Sequence, residues 1–168
     1  MKESTKRLAR LSLLTALGVG FLCLASVLPS AQLAVIALAG FTSAVALMMY
    51  SAPWAAAVYA ATAVLSLLIV PEKGCAILFA AFFGYYPILK SYFERLHDRR
   101  LGWITKLALY TAAFFLLWFI GTELFLGSAE LLPWYILWPL GGVAFVIYDI
   151  CLSFLIRIYI EKISGYIK

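Results

Sequence analysis

A chain of 168 residues that is 65% hydrophobic and 12% charged, with a mean hydropathy of +1.02, cannot present a water-soluble surface; soluble domains carry about 25% charged residues, roughly twice as many. This excludes a soluble enzyme, a disordered tail and a nucleic-acid-binding module, although a net charge of +5 and a pI near 9.2 superficially suggest the last. The composition predicts an all-α polytopic membrane protein, a single membrane domain over residues 1–168.

The chain begins with Lys2, Lys6, Arg7 and Arg10 ahead of an apolar run, as a signal peptide does. No small-x-small site follows a polar spacer, and no lipobox precedes Cys23, so residues 1–31 are expected to stay as a first helix. No charge occurs between Arg10 and Glu72. That length suits three crossings at about 20 residues each. Pro29 with Ser30 and Gln32 breaks the run once, and Ser51-Ala52-Pro53 breaks it again, because proline lacks a helix donor and disfavours helix at the residue before it. The predicted spans are 11–28, 33–51 and 54–70.

Pro71-Glu72-Lys73-Gly74 forms a polar turn that opens a fourth span over 75–93. Inside it, Pro87 frees the carbonyl of Phe83 and predicts a kink, with Gly84 reducing bulk a turn earlier. Tyr85 or Tyr86 at that kink either shapes a cavity or packs with a satisfied hydroxyl. Past Lys90, the apolar Phe93, Leu96, Leu101 and Trp103 alternate with Glu94, Arg95, Arg99 and Arg100, the pattern of an amphipathic helix on a membrane surface or a partner. The fifth span is predicted over 104–122 and the sixth over 134–156.

Six crossings put both termini on one side. With that side cytoplasmic, twelve of the thirteen Lys and Arg residues face inward and only Lys73 faces outward, as the positive-inside rule requires. The expected location is a plasma membrane. The outward Glu123 and Glu130 then lie beside Trp134, Tyr135 and Trp138. These are either an aromatic belt with solvated acids or the lip of an outward-facing pocket.

Asp149 falls well inside the sixth span, where an unpaired carboxylate costs roughly 2.5–3.5 kcal/mol on insertion scales. Helical spacing aligns Tyr135, Trp138, Gly142, Phe145, Asp149 and Ser153. Lys90 is the natural partner, since both residues lie about 15 steps from the outer ends of their spans, roughly 22 Å deep. The pair is either a static buried ion pair or a proton-coupled or substrate-binding acid with its counter-charge. Small residues recur at four-residue spacing as Ser12, Ala16 and Gly20, as Ala56 and Ala60, and as Ala76, Ala80 and Gly84. Such faces let backbones approach in lipid. The first stripe, directly after the basic segment, is assigned to an external partner.

Cys23, Cys75 and Cys151 lack metal-site or disulfide spacing, and one histidine, His97, is present. No metal site and no cofactor is expected. Neither a phosphate loop, a Gly-x-Ser-x-Gly elbow nor a His-Glu-x-x-His motif is found, so the chain is read as a non-enzyme and any ATPase must be another chain.

The basic start, six short apolar helices, three outward loops, the small-residue stripe on the first helix and the missing ATPase motif together resemble the substrate-binding S components of energy-coupling factor transporters. The resemblance is architectural and covers nearly the whole chain. The family's Ala-x-x-x-Ala motif is met only loosely, by Ala16-Leu-Gly-Val-Gly20 after Ser12. It implies capture of a vitamin-like small solute from outside, with a T subunit and two ATPase subunits as partners. It also implies a pocket in the outer half of spans four to six, with Tyr85, Glu123, Glu130, Trp134, Tyr135 and Trp138 as liners, and docking through Ser12, Ala16 and Gly20. The alternative, similar in size and span count to the MreD family, is a small envelope scaffold that binds no ligand. A lipid-modifying enzyme is a weak third class, since its only candidate cluster is His97-Asp98-Arg99-Arg100.

Overall fold

The computed structural model describes residues 3–93, 99–124 and 134–163. Six helical segments are long and apolar enough to cross a membrane, and no strand occurs among the described residues. Helix α1 (Glu3–Val27) is followed by a single 3₁₀ turn at Pro29–Ala31, then α2 (Gln32–Met49) and α3 (Ala52–Ile69). The fourth span is broken into α4 (Lys73–Leu78), a π-helical turn (Phe79–Phe83) and α5 (Tyr86–Phe93). Helices α6 (Arg99–Leu124) and α7 (Trp134–Ile163) complete the bundle.

The breaks fall where backbone chemistry places them. Pro53 occupies the first turn of α3, where a missing N–H costs nothing. At the other end of α3, Lys73 donates to the carbonyls of Leu67 and Val70 at 2.8 and 3.0 Å, satisfying acceptors the helix leaves open. Helix α1 runs eight residues further back than predicted, through the basic segment. Arg99, Arg100, Leu101 and Trp103, expected in an amphipathic surface helix, are the first turns of α6, while residues 94–98 lie outside the described set.

The kink expected at Pro87 is realised as a change of helix type. Gly84 N–H bonds to Phe79 O at 2.8 Å, a five-residue step, so the turn carries an extra residue. Carbonyls left without their usual partners are met by tyrosines from other helices. Tyr59 on α3 donates to Ala80 O at 2.8 Å, and Tyr148 on α7 donates to Phe83 O at 3.2 Å. The hydroxyl of Tyr110 on α6 donates to another main-chain carbonyl, Trp138 O, at 2.6 Å, next to Pro139 inside α7.

Helices α1, α2 and α3 pack mutually, and α2 also meets the π turn, α5 and α7. Small residues set the closest approaches. A Cβ on Gly40 would lie 2.6 Å from both Phe83 O and the Tyr148 hydroxyl, and one on Gly18 would lie 3.0 Å from Thr62 Cγ2. Lipid supplies no water-exclusion force between helices, so such packing is what holds the bundle together. Large apolar side chains such as Leu13, Leu68 and Phe119 correspondingly stand outward, each more than 60% exposed.

Candidate functional site

Three helices present the same order of side chains along the bundle axis. On the fourth span Phe82, Tyr86 and Lys90 follow at four-residue steps; on α7 Phe145, Asp149 and Ser153 do; on α6, running the opposite way, Phe114, Tyr110 and Lys106 do. Each helix therefore carries aromatics toward the end remote from the N-terminus and a polar or charged group one or two turns nearer to it. Their convergence makes two layers.

The charged layer centres on Asp149, which is 4% exposed, with Lys90 wholly buried beside it. Lys90 Nζ donates to Asp149 Oδ1 at 2.5 Å, to the Asp149 main-chain carbonyl at 2.7 Å and to Ser153 Oγ at 2.6 Å. Lys106 Nζ approaches the other side of the carboxylate, 3.1 Å from Oδ2 and 3.2 Å from Oδ1, and lies 5.5 Å from the centre of the Trp103 ring. The Tyr86 hydroxyl donates to Oδ1 at 2.6 Å. A lone carboxylate in this setting would be costly; one bonded to two ammonium groups and a phenol ties α5, α6 and α7 together.

The Lys90 and Asp149 pairing expected from depth is present. Lys106 and Tyr86 belong to it as well and were not foreseen. Lys106 is one of the twelve cations that the positive-inside rule places inward, and its position two residues inside the predicted fifth span is the sequence signal for a buried role. Tyr86 precedes Lys90 by one helical turn, so its hydroxyl shares that face.

The aromatic layer stacks on the charged one. Phe82 stacks on Tyr86 at 5.4 Å between ring centres, Tyr86 meets Phe145 edge-on at 5.2 Å, and Tyr110 stacks on Phe145 at 5.3 Å. Beyond this layer, toward the end remote from the N-terminus, lies a cavity of about 130 Å³. Its walls include Phe82, Tyr110, Ala113, Phe114 and Phe145, with Leu33 of α2 and Gly141 of α7 closing the sides. The Tyr110 hydroxyl is the one polar side-chain group in this lining, and it is committed to Trp138 O.

Of the sequence-predicted pocket residues, the three whose side chains are described, Tyr85, Tyr135 and Trp138, do not line this cavity. Tyr85 is half-buried and meets Tyr59 of α3 edge-on at 6.1 Å, and it does not line the cavity. Tyr135 is 63% exposed. Trp138 is 40% exposed and borders a shallow groove with Leu107 and Gly142 between α6 and α7. Glu123 lies in the last turn of α6; its side chain and that of Trp134, together with the whole of Glu130, lie outside the described residues. Ser12, Ala16 and Gly20 do share one exposed face of α1, and a Cβ on Gly20 would meet nothing within 4 Å.

The chain matches no protein-family model, no curated protein and no solved structure.

Proposed function

We propose that this protein is a solute-binding membrane subunit without a motor of its own, of the kind the S-component resemblance implies. The observation that carries the reading is the cavity among α2, the fourth span, α6 and α7, floored by an aromatic layer that a three-helix charge cluster holds in place. With N and C termini cytoplasmic in a plasma membrane, that cavity lies in the outer half of the bundle. Its lining dictates the ligand class. Apolar walls with stacked rings favour an uncharged, flat, largely apolar group, not the cationic group that a glutamate-lined pocket would take. About 130 Å³ suits one ring, since an apolar cavity of roughly 150 Å³ binds benzene. A T subunit and two ATPases would supply energy, docking on the face of Ser12, Ala16 and Gly20.

The test is retention of a small aromatic by the intact protein. The purified full-length chain in nanodiscs, titrated with indole or benzene, should show a saturable rise in melting temperature. Ala113→Phe, which fills the cavity from α6, should abolish the rise while leaving the ligand-free protein folded. No rise with either probe in the wild-type chain would transfer the reading to the second class, a ligand-free scaffold. The observation favouring that class is the exposed small-residue face of α1, open to a partner helix.

A further inference from the structure

The groove between α1 and α3 lies on the opposite flank from the aromatic cavity, and it shares Ser12 and Ala16 with the face assigned above to a docking partner, so a lipid seated there is what such a partner would displace. The two helices run parallel, so their N-terminal turns share one end of the bundle. There Arg7 lays its guanidinium 4.3 Å from the centre of the Trp54 ring. Among the described residues Arg7 makes no ion pair, although Glu3 stands one turn before it on the same helix, and its Nε has no hydrogen-bond partner. The result is a cation held on an indole at the membrane boundary with no counter-charge paired to it among the described residues. Stacking on an aromatic face fixes a guanidinium while leaving its edge for an oxyanion.

From Trp54 the groove continues away from that end with a volume of about 420 Å³. Ser12 and Ala16 form its α1 side, and Ala57, Ala61 and Leu65 its α3 side. Trp54 to Leu65 covers a rise of roughly 16 Å. One leaflet contributes about half of a hydrocarbon core that is about 30 Å thick, so the groove is as long as one acyl chain. Small side chains keep the floor deep, and the unneutralised cation stands where a headgroup phosphate would lie. Length and charge together specify an anionic amphiphile.

We propose that this groove seats one acyl chain of an anionic phospholipid from the leaflet at the N-terminal end, with its phosphate paired to Arg7. A neutral lipid would fill the groove and leave the cation unpaired.

Native mass spectrometry of the detergent-purified full chain, equilibrated with phosphatidylglycerol or phosphatidylcholine, tests this. Phosphatidylglycerol should be retained preferentially, with one molecule per chain. Arg7→Gln should lower that retention roughly five-fold and leave phosphatidylcholine unaffected. Arg10→Gln, an exposed residue of the same helix that does not line the groove, should change nothing. Ala61→Phe, which blocks the groove without touching the charge, should displace both lipids. Equal losses from Arg7→Gln and Arg10→Gln would reduce the effect to bulk surface charge and overturn the proposal. So would unchanged retention in Ala61→Phe, or lipid-independent cross-linking of Ala57→Cys chains into dimers, which would assign the groove to a second copy.

Discussion

Tyr148 on α7 donates its hydroxyl to the carbonyl of Phe83, the very acceptor that Pro87 leaves without a helical donor four residues on. A defect in one helix is thus repaired by a side chain from another, and the repair joins the first and second halves of the chain because Gly40 of α2 packs against the same carbonyl. In lipid no water can substitute for either partner.

Tyr148→Phe is therefore expected to destabilise the bundle by about 1–2 kcal/mol, the range for a buried carbonyl losing its donor in a membrane protein. Pro87→Ala restores an N–H at the position that serves Phe83 O, so Tyr148→Phe should cost less in that background. A double-mutant cycle read by unfolding in mixed micelles measures the coupling, and strict additivity would dismiss the repair.

Gly40 and Gly20 should respond oppositely to alanine. The new methyl at position 40 would be forced to 2.6 Å from main-chain oxygen, which neither helix can yield cheaply, whereas at position 20 it meets nothing within 4 Å. Gly40→Ala is expected to cost about 1–3 kcal/mol by overpacking. Gly20→Ala should be neutral or add up to about 1 kcal/mol through helix propensity. Melting temperatures of the two variants in one detergent decide the matter.

The charge cluster predicts an order of severity. Asp149→Asn leaves the Lys90 and Lys106 ammonium groups close together without the anion between them, and a loss of about 3–5 kcal/mol is expected. Lys106→Met, which keeps the shorter Lys90 contact, should cost less. Replacing all three groups at once, as Lys90→Met, Lys106→Met and Asp149→Leu, should recover much of the stability lost in Asp149→Asn, because well-packed apolar groups often match a buried ion pair. A triple variant no better than Asp149→Asn would mean that the cluster does more than cancel charge.

Topology is open to direct labelling. In a background with Cys23, Cys75 and Cys151 replaced by alanine, a cysteine at Glu72 should react with a membrane-impermeant maleimide added to intact cells. Cysteines at positions 2 and 168 should react only after lysis. Reaction of either terminal position in intact cells would invert the bundle and place the aromatic cavity on the cytoplasmic side.

How much of this was legible beforehand follows from which interactions are local. Transfer of apolar residues into lipid and the backbone's need for internal hydrogen bonds act segment by segment, so composition alone determined a helical membrane protein with six spans. Proline's missing donor marked the breaks at Pro29, Pro53 and Pro87 for the same reason, and the expense of a carboxylate in a span led from Asp149 to Lys90. What composition could not determine is the rotation of each helix about its axis. In lipid the outward and inward faces are both apolar, and the periodic contrast that reveals the buried face of a soluble helix is absent. The tertiary structure alone therefore brought Lys106 to the carboxylate, aimed three tyrosines at main-chain carbonyls, turned Tyr135 and much of Trp138 outward, and lined the cavity with Phe82, Phe114 and Phe145.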